Sequence, residues 1–141
     1  MLPVVWLALA IAGNGAESVA DRGVIEGALL FPACDVPTDL EVCVEQTNGK
    51  LRCTSDLVYQ EKTIAYRIEV PAGTYKVFAR TESTLPGVRA YYTEAVRCGL
   101  DAECSDHTPV AVGVKAGSHV TNVHPADWEE PEQQEMLSYI P

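Results

Sequence analysis

The amino-acid sequence predicts an all-β protein: seven or eight short strands folded as an antiparallel sandwich. Three observations predict it. Apolar and polar residues alternate repeatedly after residue 22. Gly, Pro, Asn and Asp clusters separate the alternating stretches at short intervals. No stretch carries the period of a long amphipathic helix. The chain of 141 residues is long enough for one domain with a real core, and 47% hydrophobic residues argue against global disorder.

The first twenty residues stand apart. They are apolar from Leu2 to Ala12, a run shorter than the ~20 residues that span a bilayer, and small residues follow at Ala16, Ser18 and Ala20. This pattern reads as a secretory signal peptide over 1–20, cleaved after Ala16 or Ala20. No Lys or Arg precedes the apolar run, so an apolar first strand or an uncleaved anchor is the alternative. No cysteine occurs before Cys34, which leaves no lipoprotein attachment site at the end of the leader. Export gives a periplasmic or secreted protein in an oxidising compartment.

The β-sandwich domain is expected over 21–125. In its first strand, GVIEGALLF, Ile25, Leu29 and Phe31 share a face. In LEVCVEQ, Leu40, Val42 and Val44 point one way and Glu41, Cys43 and Glu45 the other. The stretch CVEQTNGKLRC then reads as a hairpin around Asn48 and Gly49. A two-residue turn there would set Cys43 opposite Thr54 and leave Cys43 and Cys53 on opposite faces. A five-residue loop, Gln46–Lys50, pairs Glu45 with Leu51 and sets Cys43 opposite Cys53. A Cys43–Cys53 bridge and the short turn therefore exclude each other; the bridge is favoured, and its rival is Cys34 pairing with Cys43 or Cys53.

In TIAYRIEV, Ile64, Tyr66, Ile68 and Val70 face the core. Pro71 and Gly73 then reverse the chain, with Gly73 free to take positive φ. TYKVFAR sets Tyr75, Val77 and Ala79 against Lys76, Phe78 and Arg80. VRAYYTEAV, PVAVGVK and HVTNV complete the strands. Residues 126–141 read as a mostly exposed acidic tail in which Asp127 opens one helical turn and Pro131 stops it.

VIEGALLFPA followed by YRIEVPAGTYKVFA resembles the transthyretin-like, carboxypeptidase-regulatory-like modules, over about residues 22–123. The matching residues are Val24 and Gly27, then Val70, Pro71, Gly73, Tyr75 and Val77, the last five forming a V-P-x-G-x-Y-x-V hairpin. The second half looks like small exported bacterial proteins with no assigned activity. The resemblance implies a prealbumin-like Greek-key sandwich and a non-catalytic attachment or interaction module. Hydroxyisourate hydrolases share that fold, but they carry an early histidine and a C-terminal Y-R-G-S. Here the first histidine is His107 and the last residues read SYIP.

The chemistry is read as structural. A net charge of −10 repels phosphate backbones and anionic membranes, so neither nucleic acid nor stable membrane insertion after leader cleavage is expected. Five cysteines leave at least one unpaired. Cys98 and Cys104 enclose five residues and read as a disulfide that shapes a loop. Zinc would need about four nitrogen or sulfur ligands at recognisable spacing, and no C-x-x-C or H-x3-H accompanies His107. Asp101, Glu103 and Asp106 are weak calcium candidates, without the order of a helix–loop–helix calcium loop. His107, His119 and His124 are expected as surface or capping residues, and no G-x-S-x-G elbow occurs. Trp128 is expected to close one end of the sandwich, with sugar stacking as the alternative. The reading is an exported, non-catalytic binding or interaction module without cofactor. Its partner would be an unknown protein or glycan in the cell envelope or outside the cell. A carbohydrate- or calcium-binding domain is the alternative.

Overall fold

The computed structural model describes residues 21–61 and 63–128. The expected leader, and the tail beyond Trp128, lie outside these described residues. Among the described residues, nine strands and one short helix follow in order: β1 Arg22–Leu29, β2 Glu41–Gln46, β3 Leu51–Thr54, β4 Leu57–Tyr59, β5 Ile64–Pro71, β6 Gly73–Arg80, β7 Ala90–Tyr91, α1 Glu94–Cys98, β8 Val112–Val114 and β9 His119–Val120. They form two facing sheets. One has the order β4-β5-β1-β9; in the other, β3, β2 and β6 are neighbours, and β7 and β8 share the far side of β6.

The alternating faces meet between the sheets. Ile25, Leu29, Ile64, Tyr66, Ile68 and Val70 come from one sheet, and Val42, Val44, Tyr75, Val77, Ala79, Val112 and Val114 from the other. Burial pushes the Tyr66 phenol far above its usual ionisation range, and its hydroxyl donates to the Val123 carbonyl at 2.6 Å. Five-residue closure at Gln46–Lys50 gives the β2–β3 register, with Cys43 opposite Cys53 and Glu45 opposite Leu51.

Four expectations need correction. First, Pro71 and Gly73 do reverse the chain, but β5 and β6 do not pair as a hairpin. β5 pairs with β1 and β4, whereas β6 pairs with β2, β7 and β8. The turn carries the chain from one sheet to the other, so the apolar faces of both strands point at each other. Gly73 lies outside the positive-φ region, and a Cβ there would meet only ordinary contacts with the Tyr75 ring, the nearest at 3.5 Å.

Second, β9 runs parallel to β1, with Val24 opposite His119. The chain reaches β9 by crossing from β8 in the other sheet, and that crossing sets its direction. Third, Phe78 points away from the main core yet is fully buried. The guanidinium of Arg89 lies 4.4 Å from its ring centroid and Tyr91 packs at 5.1 Å, which makes a second small cluster on the outer face. Fourth, VRAYYTEAV is a strand only at Ala90 and Tyr91, and Glu94–Cys98 is helical. In the acidic segment after Pro125, Asp127 forms a bridge with Tyr91, not a helical start.

Asp39 ties the loop before β2 to the end of β6. Its carboxylate accepts from the Thr81 hydroxyl at 2.6 Å, the Ser83 hydroxyl at 2.6 Å and the Ser83 amide at 2.9 Å. Hydrogen bonds from Ser83, then Thr81, hold its carboxyl down to about 2 from the ordinary 3.8. A depressed folded pKa contributes stability that is present above the unfolded value and lost as pH falls through the folded one. Asp39 should therefore stabilise the fold fully above about pH 4 and progressively less toward about pH 2. Thermal midpoints measured across this window should fall less steeply in Asp39→Asn than in the parent; equal slopes would contradict the assignment.

Candidate functional site

Polar side chains from four parts of the chain meet where β7, α1, the loop after α1 and the C-terminal segment converge. Thr93 begins it. Its backbone is extended (φ −119°, ψ 170°), and it caps α1 by accepting the Val96 amide on its hydroxyl at 3.3 Å. Gly99 closes the helix in the left-handed region at φ 111°, where a side chain would be strained. The same Thr93 hydroxyl donates to Asp127 Oδ2 at 2.7 Å. His107 Nδ1 lies 2.6 Å from that oxygen. An ionised carboxylate only accepts, so the His107 Nδ1–H donates to it.

The backbone brings these groups together. Asp127 bridges Tyr91, Thr93 bridges Pro109, and the Val110 amide donates to the Tyr92 carbonyl at 2.9 Å. Thr93 and Asp127 are both nearly inaccessible, at 2% and 4% exposure. Arg89, Tyr91, Thr93, His107 and Asp127 line an open cleft of about 340 Å3. Arg89 Nη1 in turn donates to Glu45 Oε2 and to the Tyr91 hydroxyl, both at 3.1 Å. Clefts of about 380 and 400 Å3 lie beside Glu45 and Tyr75 and over Glu26 and Arg67. Neither brings a histidine and a buried carboxylate together.

The arrangement orders loops. The Thr93 hydroxyl and His107 share the Asp127 carboxylate, which ties the start of α1 to the loop after it and to the C-terminal segment. No buried side-chain nitrogen or oxygen among the described residues lacks a hydrogen-bond partner. Local sequence pattern gave no signal for the contact between His107 and Asp127, which lie twenty residues apart. The helix did leave one, with Thr93 at its start and Gly99 just past its end.

The other residues singled out in the sequence are structural in their contacts. Cys98–Cys104 and Cys43–Cys53 are disulfides, and Cys34 is an exposed free thiol. The two intramolecular bridges fit an oxidising, extracytoplasmic environment. No helix among the described residues is long and apolar enough to cross a membrane. The Cys98–Cys104 bridge fastens the end of α1 to the following loop, where the Cys104 amide also donates to the Asp101 carbonyl at 2.8 Å. Replacing both cysteines with serine should cost about 1–3 kcal/mol without abolishing folding, because so small a loop removes little chain entropy. Urea denaturation checks this, and a variant unfolded without denaturant would contradict it.

Asp101, Glu103 and Asp106 are exposed and do not converge on a shared point. Hydrogen bonds from Thr108 hold the Asp106 carboxyl below its usual range. The one grouping of candidate ligand atoms among the described residues is Glu41, Cys43 and Cys53. There the sulfurs bond each other, and Arg80 Nε donates to Glu41 Oε1 at 2.6 Å. Gly27 lies under the Val123 backbone. The Tyr75 hydroxyl donates to the Pro71 carbonyl at 2.5 Å, which braces the turn between the sheets. Trp128 stacks edge-on against Phe31 with centroids 5.3 Å apart and donates from Nε1 to the Leu30 carbonyl at 2.9 Å. Compared with known proteins, the chain matches no family model, no curated protein and no solved structure.

Proposed function

We propose that this chain is an exported, non-catalytic binding or interaction module of the transthyretin-like kind, working in the periplasm or outside the cell. One observation carries the non-catalytic part: Thr93, whose hydroxyl shares Asp127 with His107, is only 2% exposed and closed to a substrate, and Arg89 bonds Glu45 and Tyr91. Such mutual bonding rigidifies loops on a sandwich, a scaffold suited to presenting a surface. The apolar leader pattern and the two disulfides support export. The V-P-x-G-x-Y-x-V stretch supports the family likeness, which by itself says nothing of the ligand.

The carbohydrate- or calcium-binding alternative draws less support. Trp128 and Tyr91 are engaged in internal contacts, and the three loop carboxylates are dispersed. Affinity capture with the immobilised mature protein, using the envelope fraction and medium of the source cells, tests the proposal. A saturable protein or glycan partner, recovered chemically unchanged, is expected. A captured compound that the protein converts, with conversion lost in His107→Ala, would overturn the non-catalytic reading.

A further inference from the structure

Two of the three histidines meet carboxylates, and the third meets a donor. His107 Nδ1 lies 2.6 Å from Asp127 Oδ2, and His119 Nε2 lies 2.9 Å from Glu26 Oε1. His124 is the exception: the Ala28 amide donates to its Nδ1 at 3.0 Å. A ring nitrogen accepts only when it carries no proton, so this contact requires the neutral imidazole.

The backbone of β1 places the ring there. The Ala72 amide donates to the Asp21 carbonyl, one step past the Arg22–Pro71 pair. Hydrogen-bonded pairs alternate along an antiparallel ladder, so Gly23, Ile25, Gly27 and Leu29 bond β5, while Val24, Glu26 and Ala28 point to the opposite edge. There the Val24 amide donates to the Ser118 carbonyl, and the Val123 amide donates to the Glu26 carbonyl. A parallel ladder would next give the Ala28 amide to the Val123 carbonyl. That carbonyl lies over Gly27 and receives the Tyr66 hydroxyl at 2.6 Å, and the His124 ring stands in for it. Further along, Trp128 Nε1 donates to the Leu30 carbonyl at 2.9 Å. We propose that His124 is a proton-operated latch: neutral, it fastens the segment from His124 to Trp128 to the end of β1; protonated, it releases that segment.

The surrounding charges leave the latch to act alone. A protonated His107 or His119 still donates to its carboxylate, so those two contacts hold in acid while the Ala28 contact is lost. Among the described residues, no carboxylate bonds the His124 ring: Glu26 of β1 takes His119, and Asp127 takes Thr93 and His107. On β5, Tyr66 donates to Val123, and Arg67 and Glu69 lie opposite Glu26 and Val24, further down the strand than Ala28. Arg22 opens β1 at its other end, opposite Pro71. A proton on His124 therefore turns the acceptor into a second donor facing the Ala28 amide, and release is confined to the end of β1.

Amide exchange and histidine titration by nuclear magnetic resonance, on the full mature chain between about pH 8 and about pH 5, the interval in which imidazoles change charge, test this. The Ala28 amide and Trp128 indole shifts should move in step with the His124 ring. The Ala28 protection factor should fall about tenfold, the loss expected for one unmade hydrogen bond. The Ile25 amide, which bonds β5 from the other edge of β1, should keep its protection. In His124→Asn, a side-chain carbonyl replaces the ring acceptor and does not titrate, so Ala28 should stay protected across the whole interval. In His119→Asn, the Ala28 response should remain as in the parent. A His124 ring that stays neutral down to pH 5, or an Ala28 amide indifferent to its titration, would overturn the proposal. So would the same Ala28 response in His124→Asn, or loss of Ile25 protection together with that of Ala28.

Discussion

Gly27→Ala should destabilise the protein by about 3 kcal/mol or more and lower the thermal midpoint by over ~10 °C, although it adds one methyl group. Gly27 sits in the middle of β1, opposite Tyr66. A Cβ there would overlap the carbonyl group of Val123. That neighbour is backbone and has little freedom to move. The Val123 amide donates to the Glu26 carbonyl at 3.1 Å, and the Val123 carbonyl receives the Tyr66 hydroxyl at 2.6 Å. Displacing it would strand a buried phenol, at about 1–3 kcal/mol, and push the C-terminal segment off β1. Gly113→Ala is the matched control, because a Cβ there meets nothing within 4 Å, and it should change the midpoint little. Equal midpoints for the two variants would contradict the close approach.

Asp127→Ala should cost about 2–4 kcal/mol and loosen the loop carrying the Cys98–Cys104 bridge. Asp127 is the common acceptor for the Thr93 hydroxyl and His107. Its loss leaves the Thr93 proton buried without that acceptor, next to the capped start of α1. Asp127→Asn keeps a side-chain carbonyl as acceptor and should cost less than Asp127→Ala, but still something, since bonds to a charged acceptor are the stronger kind. Chemical denaturation gives the free energies, and limited proteolysis between Gly99 and Pro109 reads the loop. If Asp127→Ala lost less than about 0.5 kcal/mol, a surface-like value, the cluster would not be the clip described above.

Sheet pattern and one register were legible in the sequence because they follow from period-two alternation and turn length. Leu40, Val42 and Val44 had to share a face, and a Cys43–Cys53 bridge required the five-residue loop. The family-level topology implied by the resemblance is a finer matter than the two facing, mostly antiparallel sheets seen here. What the sequence did not disclose depends on where strands go after they turn. Val-Pro-Ala-Gly reads the same whether the next strand pairs with the last or crosses to the facing sheet. Phe78 alternates outward correctly, and its burial comes from Arg89 and Tyr91, which arrive from another part of the chain. The approach of His107 to Asp127 likewise has no local period to announce it. The helix at Glu94–Cys98 was hidden by its length, five residues in a run of strand-like residues. Its capping threonine and closing glycine were the signal to weigh.

A non-reducing peptide map of the protein isolated from its native source, with free thiols alkylated before digestion, tests the central claim most directly. An exported, doubly bridged module should come from the envelope or medium with its mature N-terminus at Glu17 or Asp21. The map should show linked Cys43–Cys53 and Cys98–Cys104 peptides, with Cys34 as the one alkylated cysteine. A cytoplasmic protein that retains Met1 and alkylates at all five cysteines would contradict the account.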